Sequence, residues 1–154
     1  MRITKYRTEL DQNKHNILVK ESAVNYEIDN LNNPQAIVEV LNNCFSLNRL
    51  AEEYMYIIAL STKNKPLGVF EVTHGTVNAS FCTPREIFIR LLLAGASSFV
   101  LTHNHPSGDC TPSNEDIAAT KRINESAKII GITLLDHIII ADSTYNSFKK
   151  NGLL

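Results

Sequence analysis

The chain has no excess of charge of either sign, no closely spaced cysteines and no long apolar run, and each of these gaps removes a class of function. Fifteen Lys and Arg stand against sixteen Asp and Glu, for a formal net charge of -1. No global positive field therefore draws in nucleic acid, and any such contact would rest on a local patch. Cys44, Cys82 and Cys110 are odd in number, widely separated and free of any C-x-x-C pair, which argues against a disulfide framework and against a thiolate zinc cluster. They read as reduced thiols, Cys44 and Cys82 in structured segments and Cys110 in a loop. No segment reaches the roughly 18 apolar residues of a membrane span, and the opening MRITKYRTELDQNKHN lacks the apolar core of a signal peptide. The expected location is the cytoplasm.

What is present suits one domain. A length of 154 residues with 44% hydrophobic and 20% charged content supports a single core, and no repeat, low-complexity tract or linker divides it. Residues 1–33 are polar and mixed, broken only by NILV, and read as an N-terminal arm or edge strand. Residues 34–154 read as the domain proper. Asn33 as cap and Pro34 at the first helical position predict a helix to about residue 45, with Ile37, Val40, Leu41 and Phe45 at helical spacing. YMYIIAL (54–60) and LGVFEVTHG (67–75) flank the turn-like STKNKP and predict a hairpin. Thr83, Pro84 and Glu86 predict a capped helix whose apolar residues run nearly all round, and which is therefore buried, ending at Gly95. SSFVLTH is a continuous apolar run suited to a strand covered on both faces. A further helix starts at Ser113 with Ile117, Thr120, Ile123, Ala127 and Ile130 on one side and Gly131 as its stop, and ITLLDHIIIAD supplies another strand. Together these elements predict an α/β fold, a mixed sheet flanked by helices.

The densest chemistry lies in LTHNHPSGDCTPSNED, residues 101–116. It follows a strand and precedes a helix, where open α/β sheets place ligands. Alternation along an extended chain puts His103 and His105 on the same side with Cα atoms roughly 6–7 Å apart, so both imidazoles can reach one ion at about 2.0 to 2.1 Å. Pro106 and Gly108 turn the chain, and Asp116 in the next helix can return a carboxylate as third ligand. Two imidazoles, one carboxylate and an open fourth position are the pattern of a catalytic zinc site. Taken alone, Ser113 and Asp116 are a capping box and two loop histidines are solvated polar residues; it is the joint pattern H-x-H-P-x6-S-x2-D that points to metal.

Hydrolysis at such a site needs a carboxylate base that does not bind the ion. Glu52, Glu53 and Glu71 are the upstream candidates. His137, alternating with apolar neighbours, reads as a hydrogen-bonded residue behind the ligands. His74 precedes the Gly75 turn and is a weaker candidate for the cleft, while Arg85 and Arg90 read as structural or surface residues.

HNHPSGDCTPSNED resembles the JAMM (MPN+) metalloprotease signature. Together with GT at 75–76, PRE at 84–86 and LLDHIII at 134–140, it is similar to the RadC proteins over roughly residues 34–150. The resemblance implies a cytidine-deaminase-like α/β fold with one Zn2+ held by His103, His105 and Asp116. It also implies Glu53, opening EYMYIIAL, as general acid/base, with Glu52 one residue away, and Ser113 as a donor to the oxyanion. The implied reaction is attack of zinc-activated water on a peptide or isopeptide carbonyl. The alternative is a DNA-associated accessory protein in repair or recombination with a structural or vestigial metal. Against it stand the near-neutral charge and an opening 1–33 that is too short for the helix-hairpin-helix region of many RadC proteins and lacks its Gly-rich hairpin. A nucleobase deaminase would need H-x-E and P-C-x-x-C ligands, and neither is present.

Overall fold

The cap that Asn33 promises is made: its side chain accepts the Ala36 N–H at 2.9 Å, with Pro34 following. The computed structural model of the protein describes residues 1–28, 31, 33–75 and 83–154; Thr76 and Cys82 lie outside them. In chain order the described elements are β1 (Arg2–Leu10), β2 (Asn16–Asn25), α1 (Pro34–Phe45), a 3-10 turn (Leu47–Arg49), β3 (Glu53–Leu60), β4 (Pro66–Gly75), α2 (Pro84–Leu93), β5 (Ser98–Asn104), α3 (Asn114–Ile130), β6 (Thr133–Ile140) and β7 (Tyr145–Ser147). The strands form one mixed sheet in the order β2-β1-β4-β3-β5-β6-β7, the α/β class expected.

Residues 2–25, expected as an arm or an edge strand, form a hairpin. β2 takes the edge, and β1 joins the sheet through parallel pairing of Lys5 and Tyr6 with Val69 and Phe70 of β4. Asp11 closes the hairpin by accepting the N–H groups of Asn13 and His15. Gly68 is the contact point: a Cβ there would lie 2.9 Å from Tyr6 and 3.1 Å from Phe70, whose rings stack.

Every residue of β5 is buried, and full burial of Phe99 or Leu101 contributes about 1.5–3 kcal/mol each. The β5 strand is antiparallel to β3 and parallel to β6. On one face Met55, Ile57, Phe99 and Leu101 pack with Ile87 and Leu91 of α2 and with Ile123 and Ala127 of α3. On the other, Tyr56, Ile58, Val100 and Ile138 pack with Val40 and Leu41 of α1.

Three expectations need correction. The α2 helix is not buried all round, since Leu92 and Leu93 are exposed. Thr83 takes the cap position without a side-chain cap bond, and Glu86 pairs with Arg85 and Arg90 instead of closing a box. The buried stripe of α3 runs through Asp116, Ala119, Thr120, Ile123 and Ala127, leaving Ile117 and Ile130 exposed. No helix among the described residues is long and apolar enough to cross a membrane.

Candidate metal centre

At the C-terminal end of β5, alternation turns His103 toward α3 and Asn104 toward the opposite face. His105 lies one residue past the strand, and its N–H donates to the Ile140 carbonyl at 2.8 Å. The chain then reverses through a turn in which the Gly108 N–H donates to the His105 carbonyl, with Gly108 at φ +82, a conformation that favours glycine. Asp116 returns from the first turn of α3 and is buried. His103 Nε2 lies 3.2 Å from Asp116 Oδ1, and His105 Nε2 lies 3.6 Å from Asp116 Oδ2. The two Nε2 atoms are 2.9 Å apart.

The surrounding bonds decide where the protons sit. The Thr120 hydroxyl is 2.6 Å from the Asp116 carbonyl oxygen and 2.6 Å from His137 Nδ1. A carbonyl only accepts, so the single hydroxyl hydrogen goes there, and His137 Nδ1–H must donate to the hydroxyl oxygen. Burial is the main cause that holds the His137 imidazole well below its ordinary pKa. The ring is neutral and its Nε2 accepts from His103 Nδ1–H at 2.8 Å. The remaining nitrogen of a neutral His103, Nε2, then carries a lone pair. In the same way His105 Nδ1 faces the Asp109 carbonyl at 2.7 Å, which fixes its hydrogen on Nδ1 and leaves Nε2 bare.

Two lone pairs and a carboxylate thus converge, with all three ligand atoms within 4.8 Å of one another. Such a group is relieved by a proton or by a metal cation. Its donor set of two imidazole nitrogens and one carboxylate oxygen fits zinc. The electrostatics describe the alternative in which a proton takes the cation's place. The hydrogen bond from a protonated His105 Nε2 to Asp116 is then the main cause raising the His105 pKa, against the opposing effect of burial. Burial would raise the Asp116 carboxyl, but in that protonated form bonds from His103 and His105, with the Ser113 bond, more than offset it and hold the pKa far below the usual range.

Ser113 closes a full capping box. Its Oγ accepts the Asp116 N–H at 3.1 Å, while its own N–H and hydroxyl both donate to Asp116 Oδ2, at 2.8 and 2.6 Å. Oδ1 is left to face His103. Glu53 opens β3 and shares the Met55 face; Met55 pairs with His103, and the Glu53 charge is felt at His105. Glu52 precedes the strand and is exposed. Glu71 is committed elsewhere, to Lys5 at 3.0 Å, Tyr56 at 3.2 Å and His74 at 2.9 Å. His74 stacks on Tyr54, which packs on the α1 side, so neither Glu71 nor His74 joins the centre. Sequence reasoning missed Asn104 and the relay role of Thr120. An asparagine set between two histidines at the end of a buried strand was the available signal for the first.

The profile of the RadC-like JAB domain matches residues 31–153. The chain belongs to this family. Among its relatives, a UPF0758 protein of Clostridium acetobutylicum is 49% identical over 108 residues, covering 70% of this chain and 47% of the relative. A UPF0758 protein of Desulfitobacterium hafniense is 40% identical over 124 residues, covering 80% and 54%. One from Clostridium tetani is 42% identical over 134 residues, covering 87% and 57%. The chain spans about half the length of the curated relatives it matches. The His103–His105–Asp116 group falls inside the matched JAB domain.

Proposed function

We propose that this JAB domain is a zinc-dependent hydrolase of peptide or isopeptide bonds, working in the cytoplasm. The observation that carries the reading is the convergence of two bare imidazole nitrogens and the Asp116 carboxylate on one point of the sheet face that Glu53 shares. A zinc ion held by His103, His105 and Asp116 would supply Lewis acidity and bring the pKa of a water molecule from 15.7 down to about 7.

The chain's own groups account for the rest. Glu53 takes the proton of the attacking water and delivers it to the leaving nitrogen. The Ser113 hydroxyl turns from Asp116 Oδ2 to the oxyanion as charge develops there, and Oδ2 keeps the Ser113 N–H bond while this happens. The relay of Thr120 and His137 keeps the His103 hydrogen on Nδ1 throughout.

Two measurements test the reading. Protein purified without chelator is expected to hold one zinc per chain by elemental analysis, and absence of metal at that stoichiometry would end the proposal. Glu53→Gln is expected to keep its zinc while losing about 10²- to 10⁴-fold in rate on whichever member of a peptide and isopeptide library the wild type cleaves. Full activity in that variant would remove Glu53 from the chemistry.

A further inference from the structure

Asn104 stands between the two histidine ligands, is 2% exposed, and faces away from the centre. Buried carboxamides in strands are costly unless every polar atom is paired. All three side-chain hydrogen bonds of Asn104 go to one short segment. Its Oδ1 accepts the Tyr54 N–H at 2.7 Å, and its Nδ2 donates to the carbonyls of Glu52 at 3.0 Å and Leu50 at 3.4 Å. Exchanging the carboxamide's oxygen and nitrogen would set donor against donor and acceptor against acceptor, so this orientation is the one the partners allow.

The Tyr54 N–H and the Glu52 carbonyl are the peptide groups on either side of Glu53. Backbone pairing between β3 and β5 reaches Met55 opposite His103. One step further on, the Asn104 side chain takes the place of a peptide and continues the rung. It thereby holds Glu53 extended, with its side chain on the Met55 and His103 face. An apolar residue of the same size would fill the space and leave both flanking groups of Glu53 without these partners.

We propose that Asn104 is a positioning residue for Glu53, tying the segment that carries the base to the peptide that joins the two metal ligands. This rests on the reading of Glu53 as the base. It requires that changes at Asn104 act on the centre only through Glu53, with His103, His105 and Asp116 undisturbed.

The test loads the protein with Co2+ alone and follows its visible bands against pH, because groups around a metal tune the ionisation of its bound solvent. Amide exchange at Tyr54 is measured alongside. Asn104→Ala removes all three bonds; Asn104→Asp keeps the volume and the acceptor for Tyr54 but loses the donor, and serves if the first variant does not fold. Both are expected to bind one Co2+. Exchange at Tyr54 should accelerate about tenfold in Asn104→Ala, and the spectral midpoint of both variants should move toward that of Glu53→Gln. In the Glu53→Gln background, Asn104→Asp should produce no further shift.

A midpoint that moves in Glu53→Gln but not in either Asn104 variant would overturn the positioning role and leave the base assignment standing. So would an equal Asn104 shift in both backgrounds, or loss of Co2+ binding in Asn104→Asp, since each means that Asn104 acts on the ligands. A Glu53→Gln midpoint identical to wild type would instead remove the base assignment, and the positioning role with it.

Discussion

Thr120 illustrates what a single hydroxyl contributes. Thr120→Val keeps the shape but strands His137 Nδ1–H, which that oxygen now accepts, and removes the extra hydroxyl bond to the Asp116 carbonyl. Zinc affinity is expected to fall about 10- to 100-fold, read by competition with a chromophoric chelator; unchanged affinity would dismiss the relay. The convergence of His103, His105 and Asp116 was legible because they lie within fourteen residues of one another and their spacing alone brings them together. Asn104 was not, since its partners lie 50 to 54 residues away in sequence and only the pairing of β3 with β5 makes them neighbours. The choice between Glu52 and Glu53 has the same origin: strand alternation from Met55 assigns Glu53 to the His103 face, and that needs the register.

Among the elements, the join between β1 and β4 is the most exposed to substitution. Gly68→Val would drive a branched side chain into Tyr6 and Phe70, at a cost of about 1–3 kcal/mol, measurable as a lower midpoint in urea unfolding with the zinc content unchanged. The same join carries Lys5 and Glu71. Burial opposes ionisation of Glu71, yet the Lys5 bond and charge prevail and lower its pKa from the ordinary 4.5. The resulting stability is present in full above that ordinary value and fades as pH falls through the lowered one. Glu71→Gln should therefore cost stability at neutral pH and flatten the acid limb of the stability curve, and an acid limb parallel to wild type would assign the loss to packing alone.

Elements bounded by local signals were legible: α1 from Asn33 and Pro34, β5 from its continuous apolar run, α3 from Ser113 and Gly131. The stripe of α3 was read rightly at Thr120, Ile123 and Ala127 but rotated at its edges: Asp116 and Ala119 are buried, whereas hydrophobic periodicity alone turned attention to Ile117 and Ile130. The hairpin of residues 2–25 was read only as an arm or edge. Its strands carry polar residues on both faces, and β1 is held by a strand some sixty residues later.

For the whole molecule, the centre and the fold are thermodynamically one system, since the ligands come from β5, the loop after it and α3. Zinc at about 100 times its Kd should add about 2.7 kcal/mol. For a chain of this size that corresponds to a rise of roughly 5–10 °C in Tm, seen by comparing melts in zinc and in a chelator. Equal melts would mean that the three side chains hold no ion in the folded protein.

The capping box of α3 also bears on time rather than affinity. Asp116 is at once the third residue of the helix and the one ligand contributed from outside the β5 end, so the first turn of α3 cannot fray without opening the centre. Helix ends open far more often than whole domains do. The lifetime of a bound ion would then be governed by how often the Ser113–Asp116 turn unwinds, and a substitution that loosens this cap, such as Ser113→Gly, would speed metal exchange.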